Sequence, residues 1–188
     1  MMTDALTLLS TRKSPKVFDL AAPGPSPAEL DQILAIASRV PDHGKLAPWR
    51  FIVFEGDGRA RAGEVIAGVF VNDNPEADAD RVAIERSRLM HAPLVVAVVS
   101  RAGAHAKVPE WEQTLSGGAA ATLVVLAAHA LGYAATWLTQ WYSYDARVRA
   151  GLGLGEGERI VGFVHVGTLA RPQEDRPRPP LADIVTRF

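Results

Sequence analysis

Two short stretches carry the residue types from which a binding site could be built. The first is Arg12-Lys13-Ser14, two cations and a hydroxyl just before Pro15. Charge-assisted bonds from Arg12 or Lys13 and a hydroxyl from Ser14 suit a phosphate, although a solvated helix end has the same composition. The second is Pro41-Asp42-His43-Gly44-Lys45-Leu46-Ala47-Pro48-Trp49-Arg50, a polar, proline-bracketed loop that runs straight into the apolar Phe51-Ile52-Val53-Phe54. Loops at the mouth of a sheet reach ligands while the strand holds them still. An ordinary helix-to-strand connection with Trp49 in the core is the other reading.

Other chemistry is hard to find. The histidines at 43, 91, 105, 129 and 165 form no His-Glu-x-x-His pair or other close metal spacing, and no oxygen-rich calcium loop occurs. His129, inside an apolar helix pattern, and His165, inside a strand pattern, read as packed, hydrogen-bonded side chains, which leaves His43 as the functional candidate. No Gly-x-Ser-x-Gly elbow is present. Gly151, Gly153 and Gly155 precede a late strand rather than joining a first strand to a helix, so they fail the dinucleotide-fold pattern. Cysteine is absent, which removes disulfides, thiolate nucleophiles and Cys-ligated metals. With neither a nucleophile system nor a metal cluster, the hard chemistry has to come from a cofactor.

The elements that position these residues follow from periodicity and caps. A short helix over Asp4 to Ser10 leads into Arg12. Ser26-Pro27-Ala28-Glu29 is a capping box with proline at N1, and Leu30, Ile33, Leu34 and Ala37 follow at helical spacing. Pro41 stops that helix near Val40 and sets Arg39 in its last turn. Phe51 to Phe54 is a strand, residues 55–58 a turn, Ala60 to Val71 a helix and Glu76 to Met90 a charged helix. Leu94 to Val99 is a buried, β-branched strand. A helix in two parts opens at Trp111 and Glu112 and continues from Gly117 to Leu131, apolar nearly all round, with Gly132 as its C-cap. Its Gly and Ala residues let a backbone or flat ligand approach. Tyr133 to Leu138 is a strand candidate, Ser143 caps a short helix over Asp145 to Leu152, and Ile160 to Gly167 is the last strand.

From Arg171 to Phe188 the chain holds four prolines and has no core of its own. Leu181, Ile184, Val185 and Phe188 suggest that it drapes over a surface, such as a partner subunit's. The expected organisation is one domain over residues 1–170 and an arm over 171–188. Its 188 residues suffice for one buried core, and a net charge of -1 gives no reason to expect nucleic acid or a membrane as partner. The longest apolar run is too short to span a bilayer and no secretory signal is visible, so a cytoplasmic location is expected.

Taken together, several pieces spread over the chain in one order resemble the nitroreductase family of flavoproteins, in particular its small, single-domain bacterial NAD(P)H nitroreductase branch. They are Arg12-Lys13-Ser14, Arg39 through Trp49, Lys107-Val108-Pro109-Glu110-Trp111-Glu112-Gln113 before the small-residue helix, Leu131-Gly132-Tyr133 leading to Trp137, and Ile160-Val161-Gly162-Phe163 ending in Gly167-Thr168. The resemblance implies an α+β fold, with a central mixed, mostly antiparallel sheet flanked by helices. It implies a homodimer with two FMN sites at the subunit interface and the C-terminal arm reaching across to the other subunit. Arg12, Lys13 and Ser14 would hold the FMN phosphate and ribityl chain, and Arg39 and His43 would reach the flavin of the opposite subunit. Trp137, Leu138 and Thr139 would line it. Ala127, Ala128, His129, Ala130, Leu131 and Gly132 would lie near the nicotinamide site, and Arg171 would be a loose match to a basic phosphate contact. The implied reaction is ping-pong transfer of electrons from NADH or NADPH through FMN to a small acceptor such as a nitroaromatic or quinone. A non-nitro acceptor and a non-catalytic flavin-binding protein are the alternatives. Two positions depart from the family: Ala47 stands where many relatives have an amide, and Leu138 where close relatives have an arginine.

Overall fold

The structure is a computed structural model and describes residues 4–188. Its centre is one antiparallel sheet. Strands β1 (Leu20–Ala21), β2 (Trp49–Glu55), β3 (Leu94–Ser100), β4 (Ala134–Leu138) and β5 (Arg159–Leu169) are arranged so that β5 lies between β3 and β4, with β2 beyond β3. The register sets Phe51 opposite Val98, Val96 opposite Val164 and Trp137 opposite Val164, and every pairing among the described residues is antiparallel. The sheet formed by the described residues therefore contains no parallel pair. The two-residue β1, which pairs with Thr168 and Leu169, is too short to leave an alternation in the sequence.

Helices cover both faces. On one side lie α2 (Pro27–Ala37) and α5 (Glu110–Ala130), packing Ile33, Ala37, Ala121, Val124 and Ala128 against Val96, Val98 and Val164. On the other lie α3 (Asp57–Asp73), α4 (Ala79–Arg86), α6 (Trp141–Tyr144) and α7 (Ala146–Gly151), with Ile66, Tyr142 and Val148 against Val95, Ala97 and Phe163. Alternate residues of β3 thus feed opposite layers, and all seven are buried. The remaining helices are α1 (Ala5–Thr11), ahead of Arg12, and α8 (Leu181–Ile184), which buries no residue.

The capping box at Ser26 and Glu29 is formed as expected. Other boundaries moved for local reasons. α5 is one continuous helix rather than two: Gly117 sits against Val161 and Ser100, so close packing offsets the helix-breaking cost of a glycine pair. α3 begins at Asp57, taking in part of the expected turn, while α4 is shorter than expected because Asp78 caps it by accepting from the Arg81 N–H at 2.8 Å. Asp145, not Ser143, caps α7; Ser143 Oγ instead accepts from the Gln140 N–H. His165 is fully buried, yet neither ring nitrogen has a hydrogen-bond partner, which corrects the expectation of a hydrogen-bonded side chain.

No helix among the described residues is long and apolar enough to cross a membrane.

Candidate functional site

The end of α5 brings the first cluster together. Leu131 ends the helix and Gly132 follows at φ +90°, a conformation glycine adopts without a Cβ penalty. Tyr133 N–H then donates to the Ala128 carbonyl and Gly132 N–H to that of His129, which satisfies two terminal carbonyls and turns the chain into β4. Tyr133 Oη donates to Glu29 Oε2 at 2.9 Å and ties this turn to the start of α2.

Beside that turn, the segment leaving α1 closes a cavity of about 300 Å³ lined by Thr11, Arg12, Lys13, His129, Gly132 and Tyr133, with Leu8, Ala134 and Leu169 completing the wall. Arg12 Nη2 donates to Ser14 Oγ at 3.0 Å, but Arg12 Nε is buried without a partner, as is His129 Nε2. Lys13 Nζ donates to the Gln173 carbonyl at 2.7 Å, so the arm begins by lying against this segment. Burial, and secondarily the Arg12 cation, hold the His129 pKa below the ordinary imidazole value. Two cations and two unmet buried nitrogens around one small cavity are a donor set that fits a phosphate.

A second, larger cavity of about 580 Å³ lies against the other end of the sheet. Trp111, Leu115, Gly118 and Thr122 present one stripe of α5 to it, and Trp137, Tyr144, Val161 and Ile160 supply the facing wall. Trp111, Leu115 and Tyr144 are largely exposed. The Trp137 indole lies across Gly162, donating Nε1–H to the Val161 carbonyl at 3.3 Å. A Cβ at Gly162 would come within 1.8 Å of that nitrogen, so the glycine is what lets the ring lie there.

The loop from Pro41 to Arg50 is clamped to the N-terminal half of α5. Asp42 accepts from the Leu46 and Ala47 N–H groups, and Lys45 and Ala47 take φ values of +57° and +46° beside Gly44 at +75°. Ser116 Oγ donates to the Pro41 carbonyl at 2.8 Å and accepts from Trp49 Nε1 at 3.0 Å. His43 Nδ1 lies 2.7 Å from Glu112 Oε2.

Of the residues singled out from the sequence, Arg12, Lys13, His129 and Gly132 share the small cavity, while Trp137 belongs to the large one. Ser14 touches the first through Arg12. Arg39 and His43 are exposed and lie in neither wall. Ala127 and Ala128 are 2% and 0% exposed in the core, so their side chains are closed to any ligand in this chain. Ala130, Leu131, Leu138 and Thr139 line neither cavity, and Arg171 is paired with Asp19 at 3.1 Å. The sequence reading missed Tyr144, Leu115 and Val161 as cavity residues. The spacing of Trp111, Leu115, Gly118 and Thr122 was the available signal, hidden because the whole helix is apolar. Among the described residues, no group of three or more histidine or acidic side chains could hold a metal ion.

A helix-flanked antiparallel sheet thus carries a small cavity with two cations in its wall. The model of the Nitroreductase family matches residues 9–168, and this chain belongs to that family of oxidoreductases. It is 37% identical over 167 residues, 88% of each chain, to the Escherichia coli K12 protein named "Putative NAD(P)H nitroreductase YdjA", and 38% identical over 168 residues, again 88% of each, to a Haemophilus influenzae protein of like description. Among solved structures, a nitroreductase-like family protein from Bacillus cereus superposes with a TM-score of 0.87 at 21% identity, covering 100% of this chain and 97% of the other. A mutant of NfnB from Sphigopyxis sp. strain HMH, described as an FMN- and NADPH-dependent nitroreductase, gives 0.76 at 22% identity, covering 98% and 99%. Both share the fold.

Proposed function

We propose that the protein is an FMN-dependent reductase that takes electrons from NADH or NADPH and passes them to a small electron-poor acceptor such as a nitroaromatic or quinone. The observation that carries this is the small cavity, where the unmet Arg12 Nε and His129 Nε2 stand beside Lys13 in a site of phosphate-accepting chemistry. FMN, when bound, supplies the two-electron chemistry that the side chains of this chain lack. Arg12, Lys13 and Ser14 bind and orient its phosphate end. Trp111, Leu115, Trp137 and Tyr144 line an apolar cavity wide enough for a flat ring system. Reductant and acceptor use that opening in turn, a ping-pong order in which the first product leaves before the second substrate enters.

The working unit in this reading is a homodimer. The exposed stripe of α5 and the exposed Leu181, Ile184, Val185 and Phe188 of the arm are apolar surfaces that a second copy would cover. Arg39 and His43, which do not line the small cavity of their own chain, then serve the opposite subunit's flavin, and residues 171–188 form the exchanged arm.

The purified protein is expected to be yellow, with flavin absorbance near about 450 nm, and to be bleached by NADH or NADPH without oxygen. A colourless protein that takes up no added FMN overturns the cofactor assignment. Bound flavin that neither nucleotide bleaches overturns the reductase assignment alone.

A further inference from the structure

Most donors on the wall of the large cavity are already committed within the chain. On α5 the Thr114 and Thr122 hydroxyls donate to the carbonyls of Glu110 and Gly118, at 3.0 and 3.1 Å, so each spends its proton inside the helix. The Trp137 indole spends its N–H on the Val161 carbonyl. The cation on this wall is Arg159, the first residue of β5, and among the described residues its guanidinium joins no ion pair and donates no hydrogen bond. Glu158, its neighbour in sequence, is taken: Arg50 and Arg101 hold its two oxygens at 2.6 and 3.1 Å. Glu110, also on the wall, stands in the first turn of α5, where the helix dipole favours a carboxylate without a cation beside it. A local irregularity of the strand aims Arg159 here. Arg159, Ile160 and Val161 are consecutive yet all border this cavity, which the alternating faces of a regular strand do not permit. Val98 pairs with Gly162 and Val99 with Ile160, so Val161 is the extra residue of a bulge, the device that re-aims side chains within a sheet.

We propose that Arg159 anchors an anionic group of the electron acceptor, and that the acceptors this protein prefers are aromatic carboxylates. The proposal rests on the reductase reading above and names its acceptor class. Trp111, Trp137 and Tyr144 offer faces on which an aromatic ring packs, and the guanidinium offers a planar fork that matches a carboxylate with two parallel N–H bonds. A single cation without other charged donors suits one carboxylate better than a phosphate dianion. A neutral acceptor of the same shape fills the apolar wall and leaves the fork to water, so the charge of the ligand, more than its ring, decides the preference.

Calorimetric titration of the purified protein with benzoate and with benzamide, near neutral pH, reads the anchor without turnover. Wild type is expected to bind benzoate about tenfold more tightly than benzamide, the scale of one hydrogen bond to a charged group. Arg159→Gln should bring the two affinities together, Arg159→Lys should keep part of the difference, and Arg159→Glu should reverse it. Arg159 is exposed, so these changes leave the core intact. With para-nitrobenzoate and para-nitrobenzamide as acceptors, the same order should appear in the acceptor KM rather than in kcat. Equal binding of benzoate and benzamide to wild type overturns the proposal, and so does a preference that survives Arg159→Gln. An effect of Arg159→Gln confined to the KM of NADH or NADPH assigns the cation to the reductant and overturns it as well. A protein that holds no flavin, or whose flavin neither nucleotide bleaches, defeats the reductase reading instead, and the benzoate titration still decides whether Arg159 holds a carboxylate.

Discussion

His43 of the 41–50 loop and Glu112 of α5 meet with Nδ1 and Oε2 2.7 Å apart. An imidazole that gives its Nδ1–H to a carboxylate keeps Nε2 as an acceptor. Both side chains are about half exposed or more, so the pair orients the ring more than it stabilises the fold. Ser116, buried beneath the same loop, is the stronger fastening because it meets both Pro41 and Trp49.

The two fastenings are therefore expected to differ in stability. Ser116→Ala leaves the Trp49 N–H and the Pro41 carbonyl without their partner and should cost about 1–3 kcal/mol. Glu112→Ala should cost less than about 1 kcal/mol. Urea unfolding of the two variants checks the order, and equal midpoints with equal slopes would contradict it.

At the phosphate subsite proposed above, Arg12→Ala should weaken FMN binding by about 1–3 kcal/mol, the range of a charge-assisted contact, while leaving riboflavin binding nearly unchanged. Fluorescence titration of each flavin decides it. Unchanged FMN affinity removes Arg12 from the subsite.

The buried His165 predicts a pH dependence of folding. Burial, with His91 contributing, lowers its pKa from 6.5 to about 4. Between these values the unfolded chain binds a proton that the folded one does not, so stability is full above the unfolded pKa and falls as pH drops towards about 4. The span corresponds to roughly 3 kcal/mol at about 1.36 kcal/mol per unit. Denaturation curves from pH 7 to 4.5 should show this slope in wild type and a much flatter one in His165→Leu.

Gly162→Ala should displace the Trp137 indole, since the new methyl occupies the place of its Nε1. Trp137 is 39% exposed and can swing outward, so the expected cost is at the low end of the about 1–3 kcal/mol typical of overpacking. The indole also loses its bond to Val161, and tryptophan emission should move to longer wavelength. An unshifted spectrum in a folded variant would show that the ring finds another place in the cavity.

Truncation should be made after Ala170, because β5 runs to Leu169 and pairs there with Leu20. A chain ending at that point keeps the sheet. It is expected to lose dimer stability, seen as a lower mass in sedimentation at low concentration and a lower melting temperature. Unchanged mass and melting temperature would refute the exchanged arm.

Much of this protein is determined locally and was therefore open to reading from the sequence. Ser26 and Glu29 cap a helix because their spacing meets a rule of helix geometry, and the β-branched run from Leu94 to Val99 is a buried strand whatever surrounds it. The cationic triplet and the run of family motifs are equally properties of the chain in one dimension. What only the tertiary structure decided are the contacts made by residues far apart in sequence. Nothing near His129 marks it out from the alanines beside it; it faces Arg12 because one turn at Gly132 redirects the chain and α1 packs beside that turn. His165 looked like any strand histidine, and its unmet nitrogens follow from the layers closing over both faces of the sheet. Local propensity specifies which element a residue belongs to. Which charge it meets is set by how the elements pack, and that is where the candidate site acquired its chemistry.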